Sequence, residues 1–184
     1  LLRNRSSLID GYWQLRSAIF CEEQHLFETS DLDELDERAY PIAAVHHGEN
    51  HGGQVVGVVR IVEQSPRLWY GGRLGVHHAF RRHNQIGKGL IWKAVTTANG
   101  WGCDRFLATV QIQNVRFFQR LHWSSIDELE IQGIRHHLME LDRFAAEISI
   151  MRRRWARLLD RDPAYNPNLT GLYEDFSLAT PPRA

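Results

Sequence analysis

The sequence predicts one domain of the α+β class (mixed α/β), with a central mixed sheet flanked by helices. Stretches rich in β-branched residues predict strands, and apolar residues at three- and four-residue spacing predict the helices between them. The predicted order is helix, three strands, helix, strand, helix and two strands, which is typical of a mixed sheet covered by helices. At 184 residues, 43% of them hydrophobic, the chain can bury one core.

The first part of the chain predicts a helix and three strands. The helix covers 10–24, where apolar side chains recur at helical spacing and Asp10 is placed to cap the N-terminus. Strands are predicted over 39–47, 53–64 and 67–76. Glycines inside the third strand indicate a bulge or a close approach of the backbone.

The second part predicts a helix from Ile86, a strand over 105–112, a helix around "NVRFFQRLH" and two strands around a turn at Gly133. A helix and an extended tail, rich in proline and asparagine, follow. We therefore divide the chain into a domain over 1–141 and a C-terminal appendage over 142–184, a helix and an extended tail.

Composition argues against several classes of function. The 22 basic residues offset 22 acidic ones, so no overall positive charge favours nucleic acid as a partner. No apolar run approaches the roughly 20 residues that cross a bilayer. Cys21 and Cys103 predict reduced thiols in a cytoplasmic protein. The ten histidines show no metal-ligand spacing, so we expect core or surface roles for them and no metal.

The stretch "RRHNQIGKGL" (81–90) predicts an anion site at the start of a helix. The free N–H groups of a helix's first turn, at its positive dipole end, attract phosphate. Gly87 and Gly89 let a ligand approach the backbone, while two arginines and Lys88 add positive charge. The motifs of nucleoside-triphosphate and dinucleotide loops are absent. By itself the stretch is equally typical of a basic turn before a helix.

Later motifs favour the phosphate site. The strand "FLATV" leads to Asn114 and "NVRFFQRLHW". Together with Arg82 and Gly87, these segments resemble the GNAT acyltransferase superfamily, whose members transfer an acyl group from acyl-coenzyme A to an amine. Gln85 stands where that superfamily's pyrophosphate loop has its first glycine, and Phe118 stands where it usually has a tyrosine.

This resemblance covers roughly residues 8–141 and implies the GNAT fold, with acetyl-coenzyme A (acetyl-CoA) as acyl donor. The superfamily's first strand has no counterpart after Leu1, so we expect either a preceding segment or a strand supplied by a second copy in a homodimer. The cofactor-binding residues that the resemblance implies are Leu74, Val76, Arg81, Arg82, Asn84, Gln85, Ile86, Gly87, Lys88, Gly89, Asn114, Phe117 and Phe118.

Acylation of an amine needs a proton acceptor, a hydrogen-bond donor for the developing oxyanion and a proton for the leaving thiolate. The resemblance implies a backbone N–H near Leu74–Val76 as the oxyanion donor. Phe118 has no hydroxyl, so water, Tyr70 or no acid at all serves the thiolate. The candidates for the catalytic base are Glu23, on the first predicted helix, and Glu63, near the end of a strand.

Three segments, "YWQLRSAIFCEEQHLF", "WYGGRLGV" and "LATVQIQNVRFFQRLHW", look like the nitrogen-starvation-associated GNAT N-acetyltransferases of bacteria. The expected activity is acetyl transfer to the amine of a small molecule or an amino-acid-like acceptor. A non-catalytic acyl-CoA sensor is an alternative. Acetylation of a protein or peptide would instead need an open acidic groove around 31–37.

The acidic run at 31–37 has two interpretations. It is typical of a solvated loop, whose charge would attract a cationic amine. With two arginines, its spacing is also similar to the acyl-homoserine-lactone synthases, which share the GNAT fold and pair such residues near the acceptor pocket. The residues that carry this likeness are Arg16, Phe20, Asp31, Asp33, Asp36 and Arg60, of which all but Asp31 are our predicted substrate-binding residues.

The end of the chain shows a separate likeness. Its last 38 residues or so, from "RRRWARLLDRDPAYNPNL" onwards, resemble the C-terminal end of some bacterial family 2 glycosyltransferases. The segment carries no catalytic motif of that class, so no function is transferred from it.

Overall fold

The computed structural model describes residues 2–47, 53–83 and 85–142. The strands in this part of the chain are β1 (Tyr40–His47), β2 (Gly53–Ser65), β3 (Leu68–Val76), β4 (Arg105–Gln111), β5 (Trp123–Ile131) and β6 (Ile134–Leu141). They form one six-stranded sheet in the order β1-β2-β3-β4-β6-β5. All neighbours are antiparallel except β3 and β4, which are parallel. The predicted α+β class, with a mixed sheet flanked by helices, is confirmed.

Helices lie on both faces of the sheet. The three α-helices of the described ranges are α1 (Leu2–Ser17), α2 (Gln85–Gly100) and α3 (Val115–Gln119). A π-helix (Ala18–Glu23) continues α1, and short 3₁₀-helices cover Glu34–Glu37, His78–His83 and Ile112–Asn114. The connection between the parallel strands β3 and β4 runs through α2, because parallel strands need a crossover. No helix among the described residues is long and apolar enough to cross a membrane.

Two helix predictions need correction. The first helix begins at Leu2, so Asp10 lies in its interior and does not cap it. The preceding residues are mostly polar and therefore carry no apolar spacing to reveal the helix. The helix predicted around "NVRFFQRLH" ends at Gln119, and His122 beyond it takes a left-handed φ of 63°. The predicted C-terminal helix and tail lie outside the described residues, and the domain boundary at 141 stays a prediction.

The sheet is buried on both faces around β2, because each face packs there against a helix, whereas β5 is mostly exposed. Under α2 the core contains Val95, Phe106 and Met139. Under α1 it contains Ile19 and Val58. Strand β2 contributes to both layers, which explains its nearly continuous run of valine and isoleucine.

Helix α2 lies close to the sheet at Gly57 on β2. A Cβ atom there would lie 2.8 Å from Ile86 Cγ2, 2.8 Å from Leu90 Cδ1 and 3.3 Å from Ala44 Cβ. Glycine at this position therefore sets the distance between the sheet and the start of α2.

We expect Gly57→Ala to lower the free energy of unfolding by about 1–3 kcal/mol, because the added methyl overpacks the contact. Urea unfolding followed by circular dichroism measures the change. Gly89→Ala is the matched control, since a Cβ there meets no atom within 4 Å. The control should be neutral or stabilising by up to about 1 kcal/mol, the helix propensity gain of alanine. Equal effects of both substitutions would contradict the close approach.

Candidate active site

Strands β3 and β4 separate part-way along their length. Their parallel pairing runs from Leu68 opposite Arg105 to Gly71 opposite Ala108. Within the described residues, nothing on β3 after Gly71 pairs with β4. Each strand keeps its outer partner, β2 or β6, so a gap opens between them.

A β-bulge in β3 lies at the start of this gap. Between the pairs Arg60–Gly72 and Val58–Gly75, β3 contains one residue more than β2. Arg73, in the bulge, has a φ of 54°, a left-handed conformation that is uncommon for a residue with a side chain. A bulge bends its strand and increases its local twist, which favours the departure of β3 from β4.

A cavity of about 320 Å³ lies at the gap and reaches both faces of the sheet. On the α2 side its lining includes Ile91, Ala94, Val110, Phe118 and Trp123. On the α1 side its lining includes Phe20, Gln24, Phe27, Arg60, Tyr70, Arg73 and His136. Leu74 and Asn114 also line it. The gap thus brings together residues predicted for the donor and for the acceptor.

A network of arginines and aspartates borders the cavity on the α1 side. Arg16 is fully buried; its Nε lies 2.7 Å from Asp31 Oδ2 and its Nη1 lies 2.6 Å from Asp36 Oδ1. Arg60 donates two hydrogen bonds of 2.6 Å to the Asp33 carboxylate and lies 2.8 Å from Asp36 Oδ1. The pairing that the acyl-homoserine-lactone-synthase resemblance implies is therefore present, and these aspartates do not form an open acidic groove.

Arg73 joins this network from the bulge. Its Nη2 donates to the backbone carbonyl of Asp31 at 2.8 Å and to Asp33 Oδ2 at 3.1 Å. Its guanidinium carbon lies 4.6 Å from the ring centre of Phe27, a cation–π distance. The loop after α1 is therefore tied to the strand that turns away from β4.

The charges of this network stabilise one another. Burial lowers the pKa of Arg16, but hydrogen bonds to Asp36 and Asp31 outweigh burial and raise that pKa above its ordinary value. Burial raises the pKa of Asp36, yet the hydrogen bonds from Arg16 and Arg60 hold it below its usual range. The hydrogen bonds from Arg60 also lower the pKa of Asp33. All of these groups are charged near neutral pH.

The start of α2 lies beside the end of β3 and the start of α3. A Cβ atom on Gly87 would lie 3.8 Å from Phe117 Cζ and 4.0 Å from Val76 Cγ2, so glycine leaves a space between these elements. Gly89 faces open space, with no atom within 4 Å of a Cβ there. The structure thus brings Val76, Gly87 and Phe117 together around the first turn of a 16-residue helix.

The other predicted cofactor-binding residues of the basic stretch differ in how far they are exposed to solvent. Gln85 is the exposed first residue of α2, whereas Ile86 packs against the core. Lys88 lies in the first turn and is half-buried. Only the backbone of Arg82 is described, in the 3₁₀-helix before α2, and Asn84 lies outside the described residues.

Glu23 and Arg81 form a two-pronged ion pair that is partly exposed to solvent. The distances from Arg81 Nη1 and Nη2 to the Glu23 carboxylate oxygens are 2.5 and 2.6 Å. The Nε of Arg81 also donates to the carbonyl of Val76 at 2.8 Å. The hydrogen bond from Arg81 lowers the pKa of Glu23, which makes this carboxylate a weaker proton acceptor.

Glu63 lies away from the cavity at the gap. It lines a separate pocket of about 390 Å³ with Arg38, Tyr40, Trp69 and Trp101, and its carboxylate accepts a hydrogen bond from the Arg67 N–H. The structure therefore does not bring together the two candidate bases. A group of three or more side chains able to hold a metal is absent from the described ranges.

Sequence reasoning missed two ionisable residues of the cavity lining, Arg73 and His136. Arg73 lies within the stretch "GGRLG", and an arginine between glycines in an apolar strand is a signal for a bulge. His136 was assigned a core or surface role with the other histidines, and no local pattern distinguishes it from its neighbour His137. Its position in the cavity depends on which strand pairs with β4.

Comparisons with known proteins agree with this geometry. The family model described as "Acetyltransferase (GNAT) family" matches residues 9–123, more than half of the chain. The chain belongs to the GNAT acetyltransferase family. The superfamily resemblance is confirmed, whereas the nitrogen-starvation subgroup and the glycosyltransferase-like tail stay predictions. No curated protein matches the sequence.

Solved structures share the GNAT fold at low sequence identity. An acyl-CoA N-acyltransferase from Pseudomonas aeruginosa is 20% identical, covers 72% of this chain and 88% of its own, and has a TM-score of 0.61. ElaA from Escherichia coli is 22% identical, covers 72% and 89%, and has a TM-score of 0.61. BjaI, a CoA-dependent acyl-homoserine lactone synthase, is 16% identical, covers 82% and 83%, and has a TM-score of 0.64.

We expect Asp36→Asn to lower the free energy of unfolding by up to about 3–5 kcal/mol, because it removes one of the two carboxylates that compensate the buried Arg16 and an ion-pair partner of Arg60. Urea unfolding at neutral pH measures this loss. Asp104→Asn is the matched control, since its ion pair with Arg67 is exposed, and it should cause no measurable change. A loss as small in Asp36→Asn as in the control would contradict the network's contribution.

Acidification should weaken the same network. Because the folded-state pKa values of Asp33 and Asp36 are lowered, the unfolded chain binds more protons once the pH falls below about 4, the ordinary Asp value. Their stabilisation is therefore present above that value and is lost as the pH falls below it and through the lowered folded-state pKa values. Urea unfolding between pH 7 and 3 should show a smaller acid loss in Asp33→Asn than in wild type. Identical pH dependence in the two proteins would contradict the assignment.

Proposed function

We propose that the protein transfers an acetyl group from acetyl-CoA to the amine of a small, amino-acid-like acceptor. One observation carries this proposal: the cavity at the gap between β3 and β4 is lined by Ile91 and Ala94 of α2 and continues to an arginine-lined pocket on the opposite face. A donor and an acceptor that enter from opposite faces would meet at the bulge. The acyl-CoA requirement follows from the family, whereas the acetyl group and the amine are our inference.

The first turn of α2 fits the pyrophosphate of coenzyme A. Its N–H groups carry the positive end of the helix dipole, and Gly87 and Gly89 leave the backbone open to a ligand. Lys88 in that turn and Arg81 just before it contribute positive charge. The phosphate oxygens would compete with Glu23 for Arg81, since a guanidinium binds both carboxylate and phosphate in two-pronged fashion.

The unpaired segment of β3 would hold the pantetheine arm and the thioester. Beyond Gly71, the edge of β3 that faces the gap has no partner on β4, so its backbone groups are available to a ligand. A backbone N–H near Leu74–Val76 would stabilise the oxyanion. Tyr70, which lines the cavity, is the proposed proton donor for the thiolate, because Phe118 is buried and has no hydroxyl.

The bonding changes balance with these groups. The acceptor nitrogen forms a bond to the acyl carbon, the carbon–sulfur bond breaks, and the sulfur leaves as a thiolate that takes one proton. The nitrogen loses one proton to a base. The thioester supplies the activated acyl group, and the chain supplies binding, orientation and proton transfer.

The acceptor side favours an amino-acid-like molecule. Arg60 and Arg73 line the cavity, and guanidinium groups bind carboxylates. The aspartates at 31–36 already accept hydrogen bonds from arginines, so they do not supply a free negative site for a cationic amine. A volume of about 320 Å³ suits a small molecule better than a peptide.

A second candidate is an acyl-homoserine-lactone-synthase-like reaction. The buried network of Arg16, Arg60 and the aspartates favours it, as does the fold similarity to BjaI, whose structure contains SAM and isopentyl-CoA. Mass spectrometry of products from SAM with a series of acyl-CoAs, compared with products from acetyl-CoA and an amine panel, separates the two. Binding of coenzyme A with no thiol release from any pair would instead favour an acyl-CoA sensor.

We also propose a cytoplasmic location, because the buried Cys21 and Cys103 are both free thiols, as is usual in a reducing compartment. The expected partner is the small-molecule acceptor, and we expect the protein to bind neither nucleic acid nor a membrane surface. The homodimer stays a prediction.

Gly87→Glu should raise the Kd for acetyl-CoA at least about tenfold, corresponding to roughly 1.4 kcal/mol, because its carboxylate fills the space at the helix start and repels phosphate. Isothermal titration calorimetry measures the Kd. Gly100→Glu, at the other end of α2, adds the same charge and should leave the Kd unchanged. An unchanged Kd in Gly87→Glu, with the fold intact, would sink the donor-site assignment.

A further inference from the structure

His136 is a buried imidazole in the cavity that the proposed reaction has not yet used. It lies on β6, is 7% exposed and lines the cavity at the gap. It pairs with Gln111 of β4, whose side-chain amide donates to the Gln24 side chain at 2.9 Å on the α1 side. Its neighbour His137 pairs with Val110, which belongs to the core under α2. His136 therefore faces the acceptor side of the sheet.

A hydrogen bond fixes the tautomer of this imidazole. Nδ1 of His136 lies 2.7 Å from the carbonyl oxygen of Ile134. A carbonyl oxygen only accepts hydrogen bonds, so Nδ1 must carry the proton. In the neutral ring, Nε2 then holds a free lone pair and is the proton acceptor.

His136 lies one strand beyond the gap. Strand β3 leaves β4 after the pair Gly71–Ala108, and further along β4 Gln111 pairs with His136. Leu74, near the proposed oxyanion donor, lines the same cavity as His136. The imidazole and the unpaired segment of β3 therefore face one cavity.

The other ionisable groups of the cavity lining are unsuited to accept a proton. Among the described residues that line it, these are Arg60, Arg73 and Tyr70, of which the arginines are cations and the tyrosine is the proposed proton donor. Glu23 is held in an ion pair by Arg81, and Glu63 lines a different pocket.

We propose that His136 is the general base that removes the proton from the acceptor amine. This inference rests on the proposed N-acyltransferase function and assigns the proton acceptor of that same site. Nε2 takes one proton as the amine nitrogen attacks the acyl carbon, and the resulting imidazolium keeps its Nδ1–H on the Ile134 carbonyl. The proton later leaves to solvent, so the base is restored for the next turnover.

The test compares two acceptors of similar size. Propylamine is protonated at neutral pH and needs a base, whereas methoxyamine is largely unprotonated and needs one far less. With His136→Gln, thiol release from acetyl-CoA should fall about 100-fold or more in kcat with propylamine, the usual contribution of a general base. With methoxyamine the loss should be less than about fivefold, and the KM for acetyl-CoA should stay unchanged. Equal losses with both amines would overturn the proposal.

His137→Gln is the matched control, because it makes the same chemical change on the adjacent residue of the opposite face, where Nδ1 of His137 lies 2.6 Å from Ser125 Oγ. It should leave both rates within about twofold of wild type. His136→Ala with added imidazole tests for catalysis as opposed to packing. Restoration of the propylamine rate supports the base, and a rate that imidazole does not change contradicts it.

A readout without turnover separates this proposal from the proposed function. Nitrogen-15 NMR of the wild-type protein, with the His136 signal assigned by its loss in His136→Gln, should show the tautomer protonated on Nδ1. A tautomer protonated on Nε2 would overturn the inference even if thiol release were observed. If wild type releases no thiol with any amine, the proposed function fails, and the inference that rests on it fails as well.

Discussion

The α1 side of the cavity, where we propose that the acceptor binds, depends on the burial of one guanidinium group. Arg16 has no solvent exposure, and an isolated buried cation would cost far more than the fold can tolerate. Asp31 and Asp36 compensate it, which pulls the loop after α1 onto the sheet. The same loop then holds Arg73, the residue of the bulge where β3 leaves β4. The need to compensate the charge of Arg16 thus positions this loop both along the arginine-lined side of the cavity and beside the gap between β3 and β4.

The α2 side, where we propose that the donor binds, depends on steric constraints at glycine. Gly57 lets α2 lie close to β2, and Gly87 leaves the first turn of that helix open toward Val76 and Phe117. An electrostatic constraint therefore acts on the α1 face of the sheet, and a steric constraint acts on the α2 face. The cavity connects the two faces at the point where β3 and β4 separate. Its lining therefore includes residues from most of the described helices and strands.

Local sequence patterns predicted much of the fold. Alternation, β-branched content and turn residues located all six strands, and in β2 the pattern reflects burial against helices on both faces. The start of α1 escaped prediction, since a polar first turn has no apolar period. The spacing of the arginines and aspartates on the α1 side, together with the family resemblance, predicted that they lie near one another. Their hydrogen-bond partners, including the third arginine, Arg73, came only from the structure.

The sequence by itself determined the six strands, the helices apart from the start of α1 and the end of α3, the family and the candidate phosphate loop, because these depend on residues near one another in the chain. Only the tertiary structure decided which ionisable groups share the cavity. In the structure Glu63 lines another pocket, Glu23 pairs with Arg81, and His136 lines the cavity at the gap. Strand order and register set those distances, and both arise from contacts between residues far apart in sequence. A histidine's role as core, surface or base therefore depends on its neighbours across the sheet.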